Sequence, residues 1–330
     1  MTVSEAFSNV QGLIMQRGSW GKQESSRMAL DNTNVSITIH DTKSALIPPD
    51  YRPQSWLSTE DDTKDYLEKY SRWIYLFPLS DVRYDADSKK TVPKLAENLE
   101  YSYGTRLTAY GFEVCRDKFE LSALKDIVVK AQQQFADKTP QFGDVLSVYE
   151  KMAAFQDKTF NSLYRIAKGC ATAVKDGIGN SYRMYATLQI PSIDLGKDSP
   201  YEMHNPCFCH YQPNPRFMKY GVVESDGVER KVFLPSYPAI DEKKFIEVKE
   251  GWFLFPLMMF RAHDVMAFPS NAAGGIAISE FIAWYITQKT GKKVEIGNYT
   301  QFASSLHILD YAMDKTVLEK LNGKSASEKV

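Results

Sequence analysis

Three things are scarce in this sequence: cysteine, an excess of charge of either sign, and any long apolar run. Four cysteines in 330 residues (Cys115, Cys170, Cys207, Cys209) are too few and too scattered for a disulfide framework, so a reduced, cytoplasmic setting is expected. Lys and Arg number 40 against 41 Asp and Glu, a net charge of −1. Such a balance argues against a protein that tracks a nucleic-acid backbone, which needs a basic face to displace counterions. It leaves room for a small anionic ligand, since a few arginines can focus on one site while the rest of the surface cancels. No apolar stretch reaches the length of a bilayer span, and the first five residues lack the charged-then-apolar pattern of a signal peptide. The expected partners therefore include neither nucleic acid nor membrane. Repeats, low-complexity tracts and linkers are missing too. One domain over residues 1–330 is expected, with a polar, flexible tail at 322–330.

Aromatic residues are plentiful at 13%, enough for a well-filled core and a pocket that holds planar ligands. Alternating β-branched residues predict a strand over 34–40, and aromatics at helical spacing predict a helix over 61–77. Helices are expected over 121–134 and 146–168, separated by the break at 137–140. Strands are expected at 183–190 and 208–212, a hairpin over 217–234, and a buried strand at 251–260. Residues 272–290 are apolar almost all round, a central helix stopped by Gly291. Helices and strands follow no regular βαβ rhythm, so the fold class is α+β.

The densest reactive cluster is His204-Asn-Pro-Cys207-Phe-Cys209-His210. In a strand Cys207 and Cys209 share one face while His210 points away, so one short segment offers too few convergent ligands for zinc, and no metal site is expected. Two readings remain on these residues alone: a nucleophilic cysteine at the mouth of a pocket, or two buried structural thiols. The segment Phe260-Arg261-Ala-His263-Asp264, followed by Asn271, shifts the balance. It places an arginine, an acid and an amide in a loop between an apolar strand and an apolar helix, where they are expected to share a cavity. A nearby cation lowers a thiol's pKa, and Arg261 is placed to do that while gripping an anion.

Taken in order, these residues resemble the thymidylate synthase family, which includes the pyrimidine nucleotide hydroxymethylases. The resemblance rests on Cys207 with Gln212 five residues on, Arg261 with Asp264 three on, Asn271 before a long apolar helix, and His307-Ile308. Tyr103-Gly104, Glu68 in its helix, Arg27 before the first strand and Arg183 before the cysteine extend it over most of the chain. It implies a central mixed sheet packed by long helices, a homodimer through the sheet, and insertions near 118–176 and 213–250. It implies that Cys207 adds to C6 of a pyrimidine nucleotide monophosphate, making C5 a nucleophile toward the one-carbon unit of 5,10-methylenetetrahydrofolate. Glu68 would relay protons through water. Tyr103 and His307 would order groups around the nucleotide, with Gln212 and Asn271 at the base and sugar. Asp264 would hold the folate, and Arg27, Arg183 (from the partner subunit) and Arg261 the phosphate. Asn271 favours uracil over cytosine, because an amide both accepts from N3–H and donates to O4.

The sequence also departs from the family. Phe208, Ala262 and Leu309 replace a histidine, a phosphate-binding serine and a sugar-binding tyrosine, and Tyr182 stands where a second partner arginine is expected. Only 23 residues follow His307, against a long closing segment in thymidylate synthase. A site open to water would add water to the bound pyrimidine, giving hydroxymethyl rather than methyl. The expectation is a hydroxymethylase acting on deoxyuridylate, serving DNA modification and suggestive of a phage in host cytoplasm. Thymidylate synthase and a cytidylate hydroxymethylase are the alternatives within the family. An inactive nucleotide-binding relative is the alternative from another class.

Overall fold

The computed structural model describes residues 1–22, 28–42, 48, 51, 57–88, 90–95, 103–109, 118–136, 138–155, 160–178, 184–189, 207–225, 228–234 and 242–309. Arg27, Arg183, Tyr182 and the tail at 322–330 lie outside them. The protein is α+β, built on two sheets and a hairpin with seven α-helices among the described residues. None of those helices is long and apolar enough to cross a membrane.

The chain opens with α1 (Val3–Arg17), which the sequence reading did not anticipate although its signals are present. Thr2 and Glu5 form a capping box, and Val3, Ala6, Phe7, Val10 and Ile14 make a buried stripe at helical spacing. That stripe packs on β2 (Met28–Ile39), the antiparallel partner of β1 (Ser19–Lys22). Next come α2 (Glu60–Leu76), as expected, and the hairpin of β3 (Ser80–Asp85) and β4 (Lys90–Leu95). A short α3 (Tyr103–Thr108) follows, then α4 (Lys118–Gln134), α5 (Phe142–Met152) and α6 (Ser162–Lys175). The single helix expected over 146–168 is in fact two, because Asn161 starts a new helix by accepting the Tyr164 N–H at 2.8 Å. Of the strand expected at 183–190, Ala186–Thr187 forms β5.

The remaining strands are β6 (Phe208–Gln212), β7 (Pro215–Ser225), β8 (Val228–Phe233), β9 (Glu247–Leu254), β10 (Leu257–Asp264), β11 (Val294–Ile296) and β12 (Tyr299–Leu309). They divide between a six-stranded sheet of order β1-β2-β12-β10-β6-β5 and a four-stranded sheet of order β11-β9-β7-β8. In the larger sheet β10 and β12 run parallel and all other pairs antiparallel, so it is mixed. The strand expected at 251–260 is corrected to two strands in different sheets. Pro256 has no N–H for a ladder, and the chain leaves one sheet for the other there. The passage from β6 to β7 crosses at the same level, where the Phe255 N–H donates to the Asn214 carbonyl at 3.2 Å and the Asn214 side-chain amide donates to the Phe255 carbonyl at 3.1 Å. Helix α7 (Phe268–Thr290) is buried on nearly every side, against α2, α6 and the sheet, and Gly291 closes it at φ 69°.

A break runs across three neighbouring strands of the large sheet. Val35, Ala303 and Phe260 pair in one row and Thr33, Ser305 and Ala262 in the next but one, which puts Asn34, Ser304 and Arg261 between them. Asn34 has φ 56°, a left-handed conformation that asparagine tolerates better than most residues. Burial departs from strict alternation beyond the break: on β10 it passes from Met258 and Phe260 to His263, on β12 Leu306, His307 and Ile308 are buried in succession, and on β2 Ala29 and Leu30 are both buried. A kink here therefore turns His263 inward, toward α7. On the opposite face Leu257, Met259 and Phe302 stay partly exposed among the described residues.

Candidate active site

Cys207 stands one residue before β6, and its carbonyl accepts the Arg261 N–H at 2.8 Å. Met259 pairs with His210 and Phe260 with Phe208, so Cys209 is one residue too many on β6. Such a bulge bends the strand and re-aims the side chains beside it. Burial shows the effect: Phe208 and Tyr211, three apart, are both fully buried, which strict alternation forbids. The Cys209 thiol donates to the Met259 carbonyl at 3.3 Å. The strand is thus bulged rather than regular, and Cys207 and Cys209, on either side of the buried Phe208, both lie within reach of the Arg261 charge. Arg261 and Asp264 likewise belong to β10 itself rather than to a loop, and Asn271 lies in the first turn of α7.

The Cys207 thiol is half-buried, which pushes its pKa up. The Arg261 guanidinium pulls it down, and the Asp264 carboxylate pushes it up again. Arg261→Gln is therefore expected to slow alkylation of Cys207 by iodoacetamide several-fold near neutral pH, and Asp264→Asn to quicken it. Equal rates in all three proteins would show that these charges do not act on the thiol.

Asp264 ends β10, and its Oδ1 accepts the Met266 N–H at 2.9 Å in the turn that leads into α7. Across the ladder it faces His307 on β12, whose partner on the other side is Asp31 of β2. Ser305 donates to both Asp31 carboxylate oxygens, at 3.0 and 2.9 Å. Burial lowers the pKa of His307, against the raising effect of Asp264 and Asp31, and Arg261 lowers it further. Arg261 and Asp264 thus lie close enough to act on both Cys207 and His307.

Asn271 is buried and its carboxamide is held at both ends. The Tyr75 hydroxyl donates to Oδ1 at 2.7 Å, and Nδ2 lies 2.9 Å from His263 Nε2. His263 stacks on Phe260 with ring centroids 4.1 Å apart and an interplanar angle of 7°. Burial, with the neighbouring His307, pushes its pKa down to about 3, so the imidazole is neutral near neutral pH. Nε2 then accepts the amide proton and Nδ1 carries the ring's own. In the unfolded chain the group titrates near 6.5. Between those values the unfolded state takes up a proton that the folded state refuses. The stability tied to His263 is full above the unfolded pKa and falls with acid, by roughly 1 kcal/mol per pH unit, until the folded pKa is reached. His263→Asn is expected to flatten that slope in urea midpoints compared at about pH 7 and about pH 5.

Tyr103 reaches the group through packing. Its ring lies 5.2 Å from that of Tyr75 and 5.6 Å from that of Phe208. Gly104 makes this possible, since a Cβ there would lie 2.0 Å from the Phe77 carbonyl oxygen. The other anticipated residues stand apart. Glu68 is exposed on α2, and its charge acts on Arg72, one turn along. Gln212 closes β6 opposite Leu257 and hydrogen-bonds His210. Tyr75, His263, Asp31 and the Tyr51–Ser270 hydroxyl pair at 2.7 Å are site neighbours that the sequence reading missed. The one signal for His263 was its place between Arg261 and Asp264. Among the described residues no three His, Cys, Asp or Glu side chains converge as for a metal ion.

Two buried imidazole nitrogens, His263 Nδ1 and His307 Nδ1, have no hydrogen-bond partner among the described residues. Orphaned buried polar atoms are rare in folded proteins, and a site that takes a polar ligand or ordered water is one place where they occur. Compared with protein-family models and with curated proteins, the chain matches none.

Proposed function

We propose that the chain is a folate-dependent one-carbon transferase acting at C5 of a pyrimidine nucleotide monophosphate, converting deoxyuridylate to its 5-hydroxymethyl form. The observation that carries the reading is the 2.8 Å bond from the Arg261 N–H to the Cys207 carbonyl. It seats together a thiol and a cation from distant segments, both singled out by the resemblance to thymidylate synthase. Asp264 and His307 follow along the same two strands. The mixed sheet beneath α7 agrees with the fold that the resemblance implies, and the partly exposed face bearing Leu257, Met259 and Phe302 suits a homodimer through the sheet.

Pyrimidine C5 is a poor nucleophile. Addition of the Cys207 thiolate to C6 pushes electrons toward O4 and gives C5 carbanion character. Arg261 favours that thiolate, and its exposed side chain suits a phosphate arriving from solvent, with Arg27 and Arg183 as the further phosphate ligands. Methylenetetrahydrofolate supplies the one-carbon unit. The half-buried Asp264 carboxylate, an acceptor beside His307, fits the N–H-rich pterin ring. Asn271 reads the base, and His307 and Tyr103 order groups around the nucleotide, whereas Gln212 and Glu68 stand apart from this cluster. The orphaned nitrogens of His263 and His307 suit a held water, the reagent that distinguishes hydroxymethylation from methylation.

The test is the product. Nucleotide recovered after incubation with deoxyuridylate and methylenetetrahydrofolate is expected to have gained CH2O. A gain of CH2 with dihydrofolate formed would assign a thymidylate synthase instead, and unchanged nucleotide would overturn the reading.

A further inference from the structure

We infer that Cys207 and Cys209 close into a disulfide when a hydroperoxide oxidises the chain, and that this bond takes the Cys207 thiol out of use reversibly. The second half of the inference rests on the function proposed above, in which that thiol is the nucleophile. The first half rests on the shape of β6 alone.

Residues two apart on a regular strand have Cα atoms roughly 6.6 Å apart, near the upper end of the about 4.4–6.8 Å that a disulfide spans. Here the strand is compressed. Phe208 and His210 are matched to the adjacent residues Phe260 and Met259, so two steps along β6 advance as far as one step along β10. The step from Phe208 to Cys209 lies inside that bulge, which draws Cys209 toward Cys207. Both ends of the pair are tied to the same short stretch of β10. The Cys207 carbonyl accepts the Arg261 N–H at 2.8 Å, and the Cys209 thiol donates to the Met259 carbonyl at 3.3 Å. Phe208 between them is fully buried, while both cysteines stay partly exposed. Burial raises the pKa of each thiol and the Arg261 guanidinium lowers it. The charge of Cys207 also raises the pKa of Cys209, which sets the two sulfurs within reach of one another. Cys170, fully buried on α6, is shielded from an oxidant.

Cys207 reacts first, because the Met259 carbonyl holds the Cys209 proton. Its thiolate attacks one peroxide oxygen, the O–O bond breaks, and hydroxide leaves and takes up a proton as water. The Cys209 sulfur then gives up its proton and attacks the sulfenic sulfur. The S–S bond forms, the S–O bond breaks and a second water leaves. Each sulfur has lost one electron and the peroxide has taken both. Without Cys209 the sulfenic acid meets more peroxide and goes on to sulfinic acid, which thiols do not reduce.

The test treats the full chain and its Cys209→Ala variant with a small excess of hydrogen peroxide, blocks free thiols with iodoacetamide and maps the peptides by mass. In the parent, the peptide that carries both cysteines is expected to lose two hydrogens and to escape alkylation. Tritium release from C5-labelled deoxyuridylate is expected to fall in step and to return to most of its starting value in dithiothreitol. In Cys209→Ala, oxygen is expected on Cys207, and dithiothreitol restores less than about a tenth of the lost activity. Oxygen on Cys207 of the parent in place of the bond, or two thiols still open to iodoacetamide, overturns the inference. The mass needs no turnover. Absence of tritium release from the untreated parent therefore overturns the proposed function, and the disulfide is still decided by its own readout.

Discussion

Cys207→Ala is expected to lower tritium release from C5 of deoxyuridylate by at least about 10⁴-fold, because the proposed mechanism assigns the bond to C6 to this thiol. The loss has to be chemical rather than structural. Cys207 is half-buried at the entry to β6, and the bond that fixes this place uses its backbone carbonyl, which alanine keeps. Its cost in stability is expected to stay within about 1 kcal/mol, measured by urea unfolding. Cys209→Ala is the matched control. That thiol sits in the bulge and donates to the Met259 carbonyl, so its removal affects packing and leaves release within about tenfold of the parent. The reverse pattern, with Cys209 essential and Cys207 dispensable, would move the nucleophile to the bulge.

Gly274→Ala carries the largest expected effect on stability. An added methyl carbon would lie 2.1 Å from Tyr75 Cε2 and 2.4 Å from Cδ2, well inside van der Waals contact. The ring has no room to retreat, since Tyr103, Tyr70 and Phe208 surround it. Overpacking of this kind costs about 1–3 kcal/mol, read as a lower urea midpoint at unchanged slope. Activity is expected to fall with it, because a displaced Tyr75 no longer reaches Asn271. The pair Gly274→Ala/Tyr75→Leu separates the two effects. Relief of the clash restores much of the stability, and the missing hydroxyl leaves activity impaired. If both single changes simply added, the two residues would not be coupled and the close packing of α2 on α7 would be wrong.

What could be read from the sequence was what depends on local pattern. Helix α2, helix α7 with its Gly291 stop, strand β6 and the β7–β8 hairpin follow from periodicity and turn residues within one window. Cys207, Arg261, Asp264 and Asn271 were visible as reactive groups set between apolar flanks. What escaped depends on partners distant in the chain. The β6 bulge at Cys209 exists only against Met259 and Phe260, and the kink at Asn34, Ser304 and Arg261 only where three strands lie side by side. Nothing within residues 251–264 marks the move from one sheet to the other except Pro256. His263 drew no role from its neighbours in sequence, since the kink that turns it toward Asn271 is a property of the sheet. Helix α1 is a different case, because its capping box and apolar stripe were legible and were overlooked.

The measurement that bears most directly on the central claim is tritium release from [5-³H]deoxyuridylate by the intact parent protein in the presence of methylenetetrahydrofolate. Attack by the Cys207 thiolate at C6, followed by bond formation at C5, requires the C5 hydrogen to leave as a proton to water. The expected result is folate-dependent release that disappears in Cys207→Ala. Release that survives in Cys207→Ala, or no release from any pyrimidine nucleotide by the parent protein, would contradict the account.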